Sequence, residues 1–130
     1  MEICQTRCQT LLILTNLPDE ASAQALATML VSERLAACVN VLAPCRSVYR
    51  WQGELESAQE IPLLIKTTAA CYAALEAAIR AAHPYELPEI IAVPIAHGLP
   101  EYLDWVVTET RTETRAETLA EPADGNTAPC

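Results

Sequence analysis

The chain offers few residues able to do covalent chemistry, and their spacing is the first constraint on function. Its six cysteines, Cys4, Cys8, Cys38, Cys45, Cys71 and Cys130, form no CxxC pair and no Cys/His arrangement with zinc spacing. With no secretion signal ahead of them, these thiols are expected to be reduced, Cys38 and Cys71 serving as small buried apolar groups. There is no serine nucleophile elbow, metalloprotease helix or Cys/His catalytic pairing. The three glycines, Gly53, Gly98 and Gly125, lie too far apart to cradle a phosphate. A binding protein rather than an enzyme is expected. The residues suited to binding are aromatic and charged: Tyr49, Trp51, Glu60, Lys66, Tyr85 and Glu89 could converge at a cleft between subunits. Lys66 would then neutralise an anionic ligand, and the aromatic rings would form the walls. Tyr and Trp are equally expected at a purely structural interface. His83 stands at the expected end of a helix, where a cation is favoured, and His97 precedes Gly98 in a turn.

The elements that must position these residues are legible from periodicity. Thr10 to Thr15, TLLILT, is a compact apolar run suited to a central strand. Asn16 to Glu20 reads as a loop into a helix whose apolar positions, Ala23, Leu26, Ala27 and Leu30, recur at helical spacing and end near Arg34. From Cys38 to Trp51 and from Leu55 to Thr67 run two long arms folded back at Gln52-Gly53, where a tight turn needs the positive φ that glycine accepts. Ser47, Tyr49 and Trp51 point one way, Val48 and Arg50 the other. Each arm spans roughly 40 Å at about 3.3 Å per residue, more than the helices can cover. Pro44 and Pro62 predict bends, bulges or edge positions in the arms. A second helix is expected over 69–82, with Tyr72, Leu75, Ile79 and Ala82 as its stripe. A loop at 83–89 follows, then a well-covered strand at Ile90–Ile95, and a last helix opening at Pro100 with Leu103, Val106 and Val107 inward. Strand, helix, strand, strand, helix, strand is the ferredoxin-like α+β order, βαββαβ, an antiparallel sheet with an overlong central hairpin and an extra C-terminal helix.

Composition sets the outer limits. At 130 residues, 52% of them hydrophobic, the chain has room for one domain, placed at 10–108, after a polar lead at 1–9. The stretch 109–130, entered through a tandem TETR at Thr108–Arg111 and Thr112–Arg115, is acidic and of low complexity, and is expected to be partly disordered. A formal charge of −9 argues against a nucleic-acid partner. No apolar run approaches the roughly 20 residues of a membrane span, and no signal peptide is visible, so a cytoplasmic protein is expected.

Three stretches carry a family resemblance: SERLAACVNV at Ser32–Val41, YRWQGELE at Tyr49–Glu56 with KTT at Lys66–Thr68, and HPYELPEIIAVPI at His83–Ile95. With PDEASAQ at Pro18–Gln24 and YLDW at Tyr102–Trp105, they resemble the CutA divalent-cation tolerance family. The resemblance implies a ferredoxin-like fold, a compact homotrimer built through the long strands and akin to the PII signalling proteins, and a part in tolerance to copper and other divalent metals. It also implies a copper(II) site made by a Cys at the end of the first strand and two adjacent His before Pro-Tyr. Here those positions hold Thr15, Ala82 and His83, so only His83 remains, with Glu86 and Glu89 as nearby carboxylates. One imidazole does not make a tight copper(II) site, so weak metal binding or sensing is expected, with no cofactor needed for folding. The alternative is a PII-like signalling or scaffold trimer whose subunit clefts take a small ligand or partner protein. Pairing with a neighbour's strand would cover the overlong hairpin; bending at the prolines onto its own helices is the other way to cover it. Two other owners of the fold are excluded: the acylphosphatases, because 10–20 holds no arginine-bearing phosphate loop, and RNA-recognition domains, because the chain has no Phe.

Overall fold

A computed structural model describes residues 9–111. The lead with Cys4 and Cys8, and the part of the tail from 112 onward with Cys130 and its expected disorder, lie outside the described residues. Strand β1 (Thr10–Leu17) is followed by helix α1 (Glu20–Ser32), strands β2 (Cys38–Val41), β3 (Cys45–Trp51) and β4 (Glu54–Thr68), helix α2 (Tyr72–Ala82), strand β5 (Ile91–Pro94) and helix α3 (Pro100–Glu109).

Local chemistry sets the ends of these elements. Asp19 Oδ1 accepts from the Ser22 N–H at 2.8 Å, capping α1. At the other end Arg34 takes a left-handed φ of 60°, and the Leu35 and Ala36 N–H groups return to the Leu30 carbonyl at 2.9 and 3.2 Å. Between Thr68 and α2 comes a single 3-10 turn, Ala69–Cys71, capped by the Thr68 hydroxyl; the helix expected over 69–82 therefore begins three residues late. The turn joining β3 to β4 has positive φ at both Gln52 (49°) and Gly53 (83°), the combination whose twist suits a two-residue hairpin.

The sheet order is β2–β4–β1–β5, every neighbour antiparallel, with β3 pairing farther out along β4. β4 thus lies between β1 and β2, the two strands that α1 connects. Ile13, Leu17, Leu30, Leu63, Ile65, Leu75 and Ile79 are each at most 1% exposed and join the sheet to α1 and α2. Val39 and Val41 pack against this core. The alternation of β2 therefore turns Cys38 and Asn40 to the opposite face, where Tyr102 of α3 lies beside Cys38. Arg34 fastens α3: its guanidinium donates to the Thr108 carbonyl at 2.9 Å, and its own carbonyl accepts from the Arg111 N–H at 2.9 Å.

Four expectations need correction. β1 runs two residues past Thr15, because Asn16 and Leu17 still have partners, Pro62 and Ile61, on β4. The first arm of the hairpin is divided at Leu42–Pro44, while the second continues unbroken through Pro62. Ala82 is exposed, so the buried stripe of α2 is Leu75 and Ile79 alone. β5 is shorter than expected and uncovered, with Ile91 and Val93 half exposed, since no strand lies beyond it at the sheet edge.

The division of the first arm has a geometric meaning. Val41 faces Leu63 and Cys45 faces Glu60, so three residues, Leu42–Pro44, stand opposite two, Ile61 and Pro62. This is a bulge of one surplus residue. It shifts the alternation, so the odd-numbered residues of β3 share a face with the even-numbered residues of β2. Deleting Ala43 removes the surplus. In a Trp105→Phe background that leaves Trp51 as the sole tryptophan, the deletion is expected to lower the melting temperature by several degrees and shift Trp51 emission to the red. Unchanged melting and emission would show that the bulge does not set the facing of β3.

Candidate functional site

Because of the bulge, Ser47, Tyr49 and Trp51 come out on the same face as Glu60, the direct partner of Cys45 on β4. The loop 83–89 closes over this face from the other side, and a cleft of about 750 Å³ opens between them, lined among others by Asn16, Tyr49, Trp51, Glu60, Tyr85, Glu86 and Glu89. Of the six residues expected to converge, five do so. Lys66 does not. It lies six residues farther along β4, about 20 Å away at 3.3 Å per residue, and its ammonium turns instead to Asn40 Oδ1 and, at 3.9 Å, to Cys38 Sγ. Tyr102 completes that separate cluster, its pKa raised by burial and then by Cys38. Within one chain, Lys66 therefore does not reach the cleft that the other five residues line.

The cleft is organised by hydrogen bonds from the loop to the strands. The His83 N–H donates to the Ile79 carbonyl at 2.8 Å, which ends α2. Its imidazole is buried and used on both sides: Nδ1 accepts from the Tyr85 N–H at 3.1 Å, and Nε2 lies 2.7 Å from the Asn16 carbonyl. An Nδ1 that accepts carries no proton, so Nε2 is the donor and the ring is the neutral tautomer. His83 does sit at the helix end as expected, but it is a latch between loop and β1 and not a cation at the helix terminus. Asn16 Nδ2 adds a second tie to the loop by donating to Glu89 Oε1 at 3.1 Å.

Tyr85 then reaches the strands. Its hydroxyl donates to Glu60 Oε2 at 2.9 Å, and its ring lies 4.8 Å from that of His83. Glu60, only 8% exposed, is the most buried carboxylate of the cleft. Burial first, and then the Glu60 carboxylate, raise the Tyr85 phenol to about 12. Asn16 and Ser47 went unrecognised in the sequence as cleft residues. For Asn16 the signal was available: a polar side chain closing an apolar strand just before Pro18.

The donor set does not fit a histidine-centred copper site. Both His83 nitrogens are engaged, and Thr15 and Ala82 supply no thiolate or imidazole. Among the described residues no three His, Cys, Asp or Glu side chains gather closely enough to hold one ion. Thr15 Oγ1 is buried without a partner among the described residues, but a neutral hydroxyl is a poor substitute for a soft thiolate.

Folding raises the Tyr85 pKa above its ordinary 10.0, so the folded state holds this proton more tightly than the unfolded chain does. The stability so contributed is complete below pH 10 and is lost as pH rises through about 12. In an ultraviolet titration Tyr85 is expected to ionise well above the ordinary tyrosine value, at about 12, and Tyr85→Phe to remove that step. The same substitution should cost about 1–3 kcal/mol at neutral pH by leaving a buried acceptor unmet. A neutral effect on stability would mean that water already serves Glu60.

Comparison with known proteins places the whole architecture. A family model described as CutA1 divalent ion tolerance protein matches residues 11–109. The Divalent-cation tolerance protein CutA of Thermus thermophilus is 49% identical over 98 residues, 75% of this chain and 95% of that protein. The solved Cut A1 structure from the same organism superposes with a TM-score of 0.77 at 48% identity, over 78% of this chain and 98% of that one. CutA from Xylella fastidiosa gives 0.75 at 52% identity, over 77% and 96%. With the match running from β1 through α3 and about half of the residues shared, this chain belongs to the CutA1 divalent ion tolerance protein family.

Proposed function

We propose that the chain works as a homotrimer of ferredoxin-like protomers, contributing to divalent-cation tolerance through weak ion contacts or sensing and without a catalytic step. The strand order, with β4 inserted between β1 and β2, supports the ferredoxin-like assignment. The observation that carries the assembly is a projecting ribbon. β1 pairs with β4 only as far as Ile61, so beyond it β3 and residues 54–60 of β4 form a two-stranded ribbon with both outer edges open. A two-stranded hairpin alone is marginal in water. This one exposes Val48 (65%) and Leu55 (70%) on one face and parts of Tyr49 and Trp51 on the other. At the far edge of the sheet β5 presents Ile91 and Val93. Strand addition by a second copy would satisfy ribbon edge and apolar surface together.

For the ions, the engagement of both His83 nitrogens favours surface carboxylates such as Glu86 and Glu89 over a fixed imidazole site. Separated carboxylates of this kind bind divalent ions weakly. A second function is favoured by the Tyr85–Glu60 pair in the cleft: capture of a small ligand or a partner segment, as in a PII-like signalling trimer. A buried, hydrogen-bonded carboxylate beside aromatic walls is the makeup of a binding cleft.

Light scattering at micromolar concentration is expected to give the mass of three chains. Val48→Pro, which removes a strand N–H and fixes φ in the ribbon, should lower that mass; a monomer in the parent would sink the assembly outright. Titration of the parent and His83→Ala with copper(II) is expected to give affinities within about twofold of one another, since a tenfold change corresponds to about 1.4 kcal/mol and the engaged ring supplies no such contact. A loss of tenfold or more would restore His83 as a ligand.

A further inference from the structure

We infer that the cleft between the hairpin and the loop 83–89 takes a small organic cation, an aliphatic amine with two or more ammonium groups; this rests on the ligand-cleft function proposed above. The charged side chains in its walls are all of one sign: Glu60, Glu86 and Glu89. Strand alternation extends the bias to the ribbon, where Tyr49 faces Glu56 and Trp51 faces Glu54 across the ladder. The bases of the hairpin fall on the opposite face. Arg46 donates to Ser57 Oγ at 3.1 Å and Arg50 turns back to the Gly53 carbonyl at 3.5 Å. Lys66 is held at the other end of β4 by Asn40.

The second observation is Glu60 itself. It is nine-tenths buried, yet among the described residues the only ion pair joins Arg34 to Glu109, far from the cleft. The Tyr85 hydroxyl covers Oε2. Glu60 lines the cleft, and among the described residues no second side-chain hydrogen bond joins its carboxylate. A carboxylate withdrawn from water is strongly stabilised by a cation beside it, and a group entering the cleft is placed to supply one. The rings of Tyr49, Trp51 and Tyr85 favour the same class of ligand, because aromatic faces attract ammonium groups and apolar walls accept methylene stems.

The arrangement selects against a bare metal ion. The carboxylates are spread along the walls and do not gather around one point, whereas a divalent cation needs several oxygens within about 2.6 Å. A flexible amine can meet separated carboxylates one ammonium at a time, and a cleft of about 750 Å³ is of the size that holds small molecules.

Calorimetry on the full chain in physiological salt, with 1,4-diaminobutane and spermidine as probes, tests this. Saturable binding at one site per chain is expected, with quenching of Trp51 emission in a Trp105→Phe background. Glu60→Gln keeps an acceptor for Tyr85 and should weaken binding at least tenfold. Trp51→Leu, followed by calorimetry alone, should also weaken it. N,N′-diacetyl-1,4-diaminobutane should not bind there, and magnesium chloride at equal charge, held only weakly by the separated carboxylates, should not displace the amine. Amines that fail to bind, or that magnesium displaces charge for charge, or that are indifferent to Glu60→Gln, overturn the proposal. If adenosine diphosphate or the diacetyl probe quenches Trp51 while the amines do not, the cleft is a ligand site of a different selectivity. If no probe of any charge is felt, the ligand cleft falls with it.

Discussion

One surplus residue in a hydrogen-bond ladder decides which face of this protein carries the cleft. β4 supports the ladders of β1, β2 and β3, and such a long strand keeps one alternation from Glu54 to Thr68. Its partner arm does not. At Leu42–Pro44 the extra residue reverses the facing of everything that follows, and the reversal brings Tyr49 and Trp51 to the side of Glu60. The two prolines meet at this same gap. The Pro62 carbonyl accepts from the Leu42 N–H at 3.0 Å, and in a strand the N and C=O of one residue share a side. The nitrogen of Pro62 therefore faces the point where β2 has ended, and its missing N–H leaves no acceptor stranded. Pro44 stands in the gap itself, where no ladder donor is required of it.

From that facing the rest of the cleft follows as hydrogen-bond accounting. The loop 83–89 holds Pro84 and Pro88, which supply no donors and keep the chain out of helix, so side chains must fasten it. His83 does so with both nitrogens, Asn16 with its carbonyl and its amide, and Tyr85 with its hydroxyl. An imidazole spent in this way is not free for a metal ion. The latch that shapes the cleft and the copper ligand implied by family resemblance compete for the same lone pair, and here the latch holds it. Thr15 and Ala82, in the other two positions of that implied site, are consistent with the same outcome.

Most of the scaffold was legible in the sequence because hydrophobic period is a strong signal. The α1 stripe of Ala23, Leu26, Ala27 and Leu30 is buried as spaced, and Gln52-Gly53 is the turn. What was not legible depends on neighbours. A run such as IIAVPI looks as though it must be covered, but coverage is a property of the sheet edge where topology puts it, and β5 is last in line. Lys66 looked available to the cleft because alternation fixes the face of a side chain but not its position along a strand. It does share the face of Glu60, at the wrong end. The proline signal pointed to a bulge or an edge. Which proline disrupts the ladder and which is tolerated was decided by the partner each one faces.

The ribbon that makes the cleft is also the least supported part of the fold. Beyond Ile61 neither β1 nor a helix backs it, and two paired strands with exposed Val48 and Leu55 hold their shape weakly by themselves. One wall of the cleft, with Tyr49 and Trp51, is built on this ribbon, while the other is tied to the body of the fold through the buried His83 and through Asn16. Any contact that orders the ribbon, whether strand addition by a second copy or a ligand bridging Trp51 and Tyr85, fixes the distance between the walls. Two events that order the same element lower each other's cost, and the coupling is reciprocal. The proposed assembly and the proposed ligand capture would therefore be linked by the mechanics of one hairpin, without a conformational change having to travel through the core.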